Sequence, residues 1–265
     1  MRLCSIASGS NGNCIYAGSD STSVLIDAGI SGKRIEQGLN SFGCTGRDVD
    51  AVFLTHEHSD HIRGLGVIAR RWKVPIYATR GTYEAMLDAP GIGKIPDGLF
   101  HEIIPDVPVM IGDVTIEPFS ISHDAADPVG YRMSSGGKSA AVATDMGTYS
   151  DYTIRHLQGL DVLLLEANHD VHMLEAGRYP YYLKRRILSD KGHLSNEASG
   201  QLLCEVLHDD MKAIILGHLS GENNYPALAY ETVSAEVTMG DNPYRSKDFA
   251  ISVARRDCGG ELIEF

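Results

Sequence analysis

An apolar run, Ala51-Val52-Phe53-Leu54-Thr55, leads without a break into His56-Glu57-His58-Ser59-Asp60-His61. The run reads as a short strand, and the six residues after it crowd three imidazoles and a carboxylate onto one loop. Such groups at a strand end would repel one another and lose hydration unless a cation organised them. A chain built round this segment must cover the strand and leave its end open to an ion. His56 and His58 alternate, so an extended loop points both the same way, whereas Asp60 and His61 lie past the bend and can face a second cation. Nitrogen and carboxylate donors suit zinc, manganese or iron better than calcium or magnesium, which favour all-oxygen shells. The bland alternative is a solvated polar loop rich in histidine.

The remaining apolar runs also end in polar residues. Ser23-Val24-Leu25-Ile26 stops at Asp27-Ala28-Gly29; Ser139-Ala140-Ala141-Val142-Ala143 at Thr144-Asp145; Val162-Leu163-Leu164-Leu165 at Glu166-Ala167-Asn168-His169; Ala213-Ile214-Ile215-Leu216 at Gly217-His218. Unbroken rather than alternating apolar runs predict strands covered on both faces. Helical spacing runs from Ile62 to Trp72, a helix from Ser195 to Leu207 has Ser195 as its N-cap, and another spans Ala227 to Val237 behind Pro226. Gly130-Tyr131-Arg132-Met133 and Lys138-Ser139-Ala140 flank Ser134-Ser135-Gly136-Gly137 as a hairpin. The expectation is one α/β domain over residues 1–265.

With 265 residues and 43% hydrophobic content the chain can bury a full core without a metal. It has no apolar stretch near the ~20 residues that span a bilayer, and Met1 to Ile6 lacks the long apolar segment of a secretory signal. Cys4, Cys14, Cys44, Cys204 and Cys258 form no C-x-x-C pair, so neither a disulfide framework nor a thiolate zinc site is expected, and a reducing cytoplasm fits. A formal net charge of −12 opposes long-range attraction to nucleic acid, although cations at a site reverse the sign locally.

Two further segments carry binding readings beside ordinary ones. Ser8-Gly9-Ser10-Asn11-Gly12-Asn13-Cys14 has the small donors of a phosphate nest, with Ser10, Asn11 and Asn13 as its candidates, but no Walker lysine; a plain β-turn explains it equally well. Tyr179-Pro180-Tyr181-Tyr182-Leu183-Lys184-Arg185-Arg186 interleaves aromatics with cations that can stack bases and meet phosphates, Lys184 and Arg185 first among them, or is a packing segment followed by a solvated helix face. Arg70-Arg71-Trp72-Lys73 reads as a helix end.

The order Ser23 to Gly29, Thr55 to His61, Ser122-His123-Asp124, Thr144-Asp145 and Gly217-His218 resembles the metallo-β-lactamase superfamily over nearly the whole chain. That resemblance implies an αββα four-layer sandwich with a dinuclear site. Carried over, His56, His58 and His123 would hold one divalent metal, Asp60, His61 and His218 the other, with Asp145 bridging and Asp27 bracing the loop. A hydroxide between two zinc or manganese ions, less readily iron, would be the nucleophile. Each carried residue has an ordinary reading too: His123 as a surface-loop histidine with His101 competing for its role, Asp145 as a turn cap, His218 as a core histidine. Di-iron members that reduce oxygen carry glutamate where His58 stands, so hydrolysis is implied.

Gly192-His193-Leu194-Ser195-Asn196 resembles the His-Ser-Thr region of ribonuclease Z, which implies that His193 protonates a leaving alkoxide; its bland reading is a residue before a helix N-cap. Together with Ser8 to Cys14, Ala167 to Asp170, Lys184 to Ile187 and His218-Leu219-Ser220, the segment looks like the YycJ/WalJ branch of bacterial nucleases. The expectation is therefore a 5′ to 3′ DNA exonuclease with Asp60 and His193 central to catalysis. The interval from Asp145 to His218 has no room for a β-CASP insertion and shows no Gly/Pro-rich transfer-RNA arm. The alternatives are a small-molecule hydrolase of a thioester, lactone or cyclic phosphodiester, or a metal-loaded regulatory protein without turnover.

Overall fold

The computed structural model describes residues 1–256 and 259–265, so Cys258 lies outside the described residues. The other four cysteines are free thiols. The chain packs as two compact units, the first made of Met1–Ser120, Ala125–Lys138 and Arg255–Phe265, the second of Ile121–Asp124 and Ser139–Ala254. No helix among the described residues is long and apolar enough to cross a membrane.

In the first unit β1 (Arg2–Ala7), β2 (Cys14–Gly18) and β3 (Ser23–Ile26) form an antiparallel meander. From β3 the sheet continues in parallel through β4 (Ala51–Phe53), β5 (Ile76–Ala78) and β6 (Phe100–Glu102), and the C-terminal pair Ile263–Glu264 closes the other edge against β1. Helices α1 (Gly32–Asn40), α2 (Ser59–Ile62), α3 (Leu65–Trp72) and α4 (Arg80–Leu87) fall between these strands in the chain. Ile35 and Leu39 of α1, with Leu65, Ile68 and Ala69 of α3, join the core formed by Tyr16, Leu25, Val52 and Ile76. At about 1.5–3 kcal/mol per fully buried large apolar side chain, this core does not depend on a metal. Antiparallel β7 (Val109–Ile111), β8 (Val114–Ser120) and β9 (Val129–Ser135) complete the unit.

The helix expected from Ile62 to Trp72 is two helices, broken at Arg63-Gly64. An uninterrupted helix would need the Gly64 N–H on the Asp60 carbonyl. Instead Asp60 O accepts Asn13 N–H at 2.7 Å, His61 O accepts Ala28 N–H at 2.8 Å, and Gly64 N–H donates to Ala28 O at 2.7 Å. Side chains at 29 and 64 would forbid this approach, because a Cβ on Gly29 would lie 1.6 Å from Asp60 O and one on Gly64 1.9 Å from Ile30 O. The loop after β4 is thus moored to the turns after β1 and β3.

The second unit contains parallel β10 (Lys138–Ala143), β11 (Val162–Glu166), β12 (Ala213–Gly217) and β13 (Ile251–Val253), in that order. The runs expected at 139–143, 162–165 and 213–216 are these strands, and those segments are buried throughout. Helices α5 (Asp151–Leu157), α6 (Val171–Ala176), α7 (Tyr181–Ile187), α8 (Asn196–Val206) and α9 (Pro226–Met239) connect them. Ser195 caps α8 by accepting from Ala198 N–H at 3.2 Å, and α9 starts on Pro226, both as expected. Between β9 and β10 the chain turns at Gly136 and Gly137, with φ of 59° and 78° as a type I′ turn needs. Ala143, Leu165 and Leu216 stand side by side in the register, so the carboxyl ends of β10, β11 and β12 share one edge. That edge is where open parallel sheets gather ligands.

Candidate metal centre

In the first unit β3 and β4 are parallel with Ile26 beside Phe53, so the residues that follow each strand meet. The Asp27 carboxylate, 1% exposed, accepts from Thr55 N–H at 2.8 Å, Thr55 Oγ1 at 2.8 Å and His61 Nδ1 at 2.7 Å. Thr55 Oγ1 lies 3.0 Å from His56 Nδ1. Both buried imidazoles are therefore anchored through Nδ1, the tautomer that puts the lone pair on Nε2. His58 stands with its ring edge-on to His56 at 4.6 Å, and the His56 and His61 rings are 4.1 Å apart. Glu57 accepts from Ala126 N–H at 2.9 Å.

Asn13, named from the sequence as a substrate contact, is 1% exposed and its amide is used inside the unit. It accepts from Gly9 N–H at 2.9 Å and places Nδ2 3.0 Å from His61 Nε2 and 3.5 Å from Asp60 Oδ2. Ser10 and Asn11 are the exposed tip of that turn.

In the second unit Asp145, Glu166, His193 and His218 offer ligand atoms within 4.8 Å of one another. Asp145 Oδ1 lies 3.5 Å from His218 Nδ1, 3.6 Å from His193 Nδ1 and 3.8 Å from His123 Nε2. His123, 4% exposed, is held through Nδ1 by Gly192 O at 3.1 Å. His101, its competitor in the sequence, is exposed on β6 and stacks on Tyr77 at 4.8 Å.

Glu166, the last residue of β11, organises this cluster. Its Oε1 accepts from His193 Nδ1 at 2.8 Å and His218 Nδ1 at 3.0 Å, and its Oε2 from Met146 N–H at 2.8 Å and Leu194 N–H at 3.2 Å. Burial works against the charge, but the two imidazoles hold the carboxyl well below the usual range. The signal was present in the sequence: an acid closing a fully apolar strand must find partners once buried.

Among the described residues, three of the five non-glycine positions with positive φ belong to these clusters: Asp27 at 64°, Asp145 at 62° and His218 at 55°. Backbone of this kind costs about 1–3 kcal/mol per residue and persists where neighbours over-determine it. Here the neighbours are the hydrogen bonds just described, together with Asn168 Nδ2, which donates to His218 O at 2.9 Å.

His169 lies beside this cluster and is 1% exposed, with Nδ1 making no hydrogen bond among the described residues. Burial pushes its imidazole down to about 4. Between about pH 6.5 and that value the unfolded chain takes a proton that the fold refuses, so stability is lost on acidification, by about 3 kcal/mol in all. Urea unfolding from pH 7 downward is expected to show this slope, and His169→Gln to flatten it. Equal slopes in both proteins would refute the assignment.

The donor chemistry fits divalent metals. Four buried histidines, His56, His61, His123 and His218, each have Nδ1 against an oxygen, the arrangement that orients metal-ligating imidazoles. A family model described as a β-lactamase superfamily domain matches residues 22–215. Exodeoxyribonuclease YycJ of Bacillus anthracis is 44% identical over 230 residues, 86% of this chain and 86% of its own. Exodeoxyribonuclease WalJ of Streptococcus pneumoniae is 42% identical over 236 residues, 89% of this chain and 88% of its own. Among solved structures, the metallo-β-lactamase fold protein YhfI of Bacillus subtilis aligns with a TM-score of 0.69 at 19% identity over 98% of both chains. Loops moored at strand ends, a family model over most of the length and relatives aligned along more than four-fifths of it agree: the chain belongs to the β-lactamase superfamily and has the metallo-β-lactamase fold.

Proposed function

We propose that this chain is a metal-dependent phosphodiesterase that removes nucleotides from DNA, working from the 5′ end in the cytoplasm as a single domain over residues 1–265. The relatives named exodeoxyribonucleases support the substrate class. The observation that carries the chemistry is the His193 imidazole, 15% exposed at its side chain, fixed through Nδ1 by Glu166 and beside Asp145 and His218.

His56, His58 and His123 would hold one divalent cation and Asp60, His61 and His218 the other, with Asp145 shared; zinc and manganese suit these donors. When bound, such ions supply an acidified water and neutralise charge that builds on the phosphate oxygens. Everything else falls to the chain. Asp27 and Thr55 keep His56 and His61 in register, as Glu166 does His218. His193 donates its Nε2 proton to the leaving alkoxide, and the Glu166 carboxylate stabilises the cationic form that delivers it. An alkoxide is a poor leaving group and needs that proton, which separates phosphodiester cleavage from the hydrolysis of an activated amide or thioester.

Metal-stripped protein is expected to regain activity on 5′-phosphorylated DNA, labelled at either end, when zinc or manganese is restored. Products should shorten stepwise from the 5′ end, and Asp60→Ala should release none. The net charge of −12 favours a second reading, hydrolysis of a small ester. DNA left intact with both metal sites filled, alongside turnover of a thioester or cyclic phosphodiester, would establish it instead.

A further inference from the structure

Helix α7 joins the His193 loop to an exposed aromatic surface. At its C-terminal end Ile187 O accepts His193 N–H at 3.0 Å, and the Gly192 carbonyl one residue earlier orients His123. Arg186 forks onto Asp124, with Nη2 2.9 Å from Oδ1 and Nε also bonded, while Asp124 N–H donates to Lys191 O at 3.1 Å. Lys184 Nζ donates to Glu175 O at 2.7 Å. Two of the three consecutive cations thus hold the helix in place, Lys184, a substrate-contact candidate, among them.

The groups left over point to a ligand. Tyr181 and Tyr182 are 76% and 74% exposed, and the Arg185 guanidinium carbon lies 6.0 Å from the centre of the Tyr181 ring. Two adjacent tyrosines kept in water beside a cation gain nothing for the fold. On a protein of net charge −12, one arginine is too little to capture a duplex through its phosphates. Aromatic rings bind by a route that needs little charge, stacking on bases whose faces are open. A duplex hides those faces and an unpaired strand offers them.

We propose that Tyr181, Tyr182 and Arg185 form a stacking platform for single-stranded nucleic acid, held by α7 in fixed register with His193. The platform rests on the phosphodiesterase reading above and adds to it a preference for unpaired substrate. Tyr181 and Tyr182 stack on successive bases, and Arg185 meets the phosphate between them.

The test uses the metal-loaded protein and a fluorescent phosphorothioate oligo(dT), which resists hydrolysis, read by anisotropy. The Tyr181→Ala/Tyr182→Ala protein is expected to bind it about tenfold or more weakly, the Phe/Phe protein like the parent, and the parent to bind a blunt duplex less well than the strand. Oligo(U) should show the same loss, since the base face rather than the sugar is read. Unchanged binding by the alanine pair, or a duplex held as tightly as the strand, overturns the platform. So does a dimer of the parent that the alanine pair dissolves while strand binding persists. Turnover of a nucleoside p-nitrophenyl phosphodiester has no strand to stack and should be unaffected by the pair. Its absence from the parent would sink the phosphodiesterase reading separately, with strand binding still measured.

Discussion

Asp145→Asn is expected to lose about 10³-fold or more in turnover, and one of two bound metal ions per chain, with the fold intact. As the shared carboxylate proposed above, Asp145 would contribute several kcal/mol to holding the cations and to the charge they stabilise, and each 1.36 kcal/mol is a factor of ten. Asparagine is the informative replacement because Asp145 has a φ of 62°, a conformation that asparagine tolerates and alanine resists. Its amide keeps one oxygen near His218 and His193, so the cluster retains its shape and loses its charge. Elemental analysis of the purified protein, circular dichroism and initial rates on labelled DNA decide the matter. Two metals per chain with turnover inside tenfold of the parent would remove Asp145 from the ligand set.

Glu166→Gln and His193→Ala should each lose about 10²- to 10³-fold in turnover on DNA, and the double variant little more than either, because the two side chains act as one unit. Glutamine fills the volume but brings an NH₂ group to a place where every neighbour is a donor: two imidazole N–H groups on one side, Met146 and Leu194 N–H on the other. That mismatch should also lower stability by about 2 kcal/mol or more. A structural role alone would slow every substrate equally, whereas a proton relay matters most for an alkoxide. With p-nitrophenolate, which leaves without a proton, the His193→Ala defect is expected to shrink to a few-fold. A defect of the same size on both substrates would show that His193 donates no proton.

The candidate metal loop stands out in the sequence because its histidines and aspartate are nearly consecutive and follow a strand whose apolar run is unmistakable. Asp27, Asp145 and His218 stand out for a related reason: each follows a buried strand, Asp145 and His218 at the shared carboxyl edge of β10 and β12. Glu166 ends such a strand too and was passed over, because its meaning depends on partners 27 and 52 residues downstream. The break at Gly64 was hidden for the same reason, since side-chain spacing favours a continuous helix and the bonds that end it come from Asn13 and Ala28. In α7 the charges could be counted from the sequence but not allocated. Only the fold shows Lys184 and Arg186 committed to Glu175 and Asp124, leaving Arg185 beside Tyr181.

The left-handed backbone at Asp27, Asp145 and His218 sets a limit on how far this protein can be made robust. A routine stabilising change puts glycine wherever a larger residue is forced to positive φ, relieving about 1 kcal/mol at each place. On the ligand assignment proposed above, that substitution would remove the brace of the metal loop, the shared carboxylate and a ligand, so the cheapest gains in melting temperature lie where they would end the reaction. Selection for hardiness and selection for turnover therefore pull in opposite directions at these three positions, and improved variants of this scaffold must find their stability in the helices and the sheet instead.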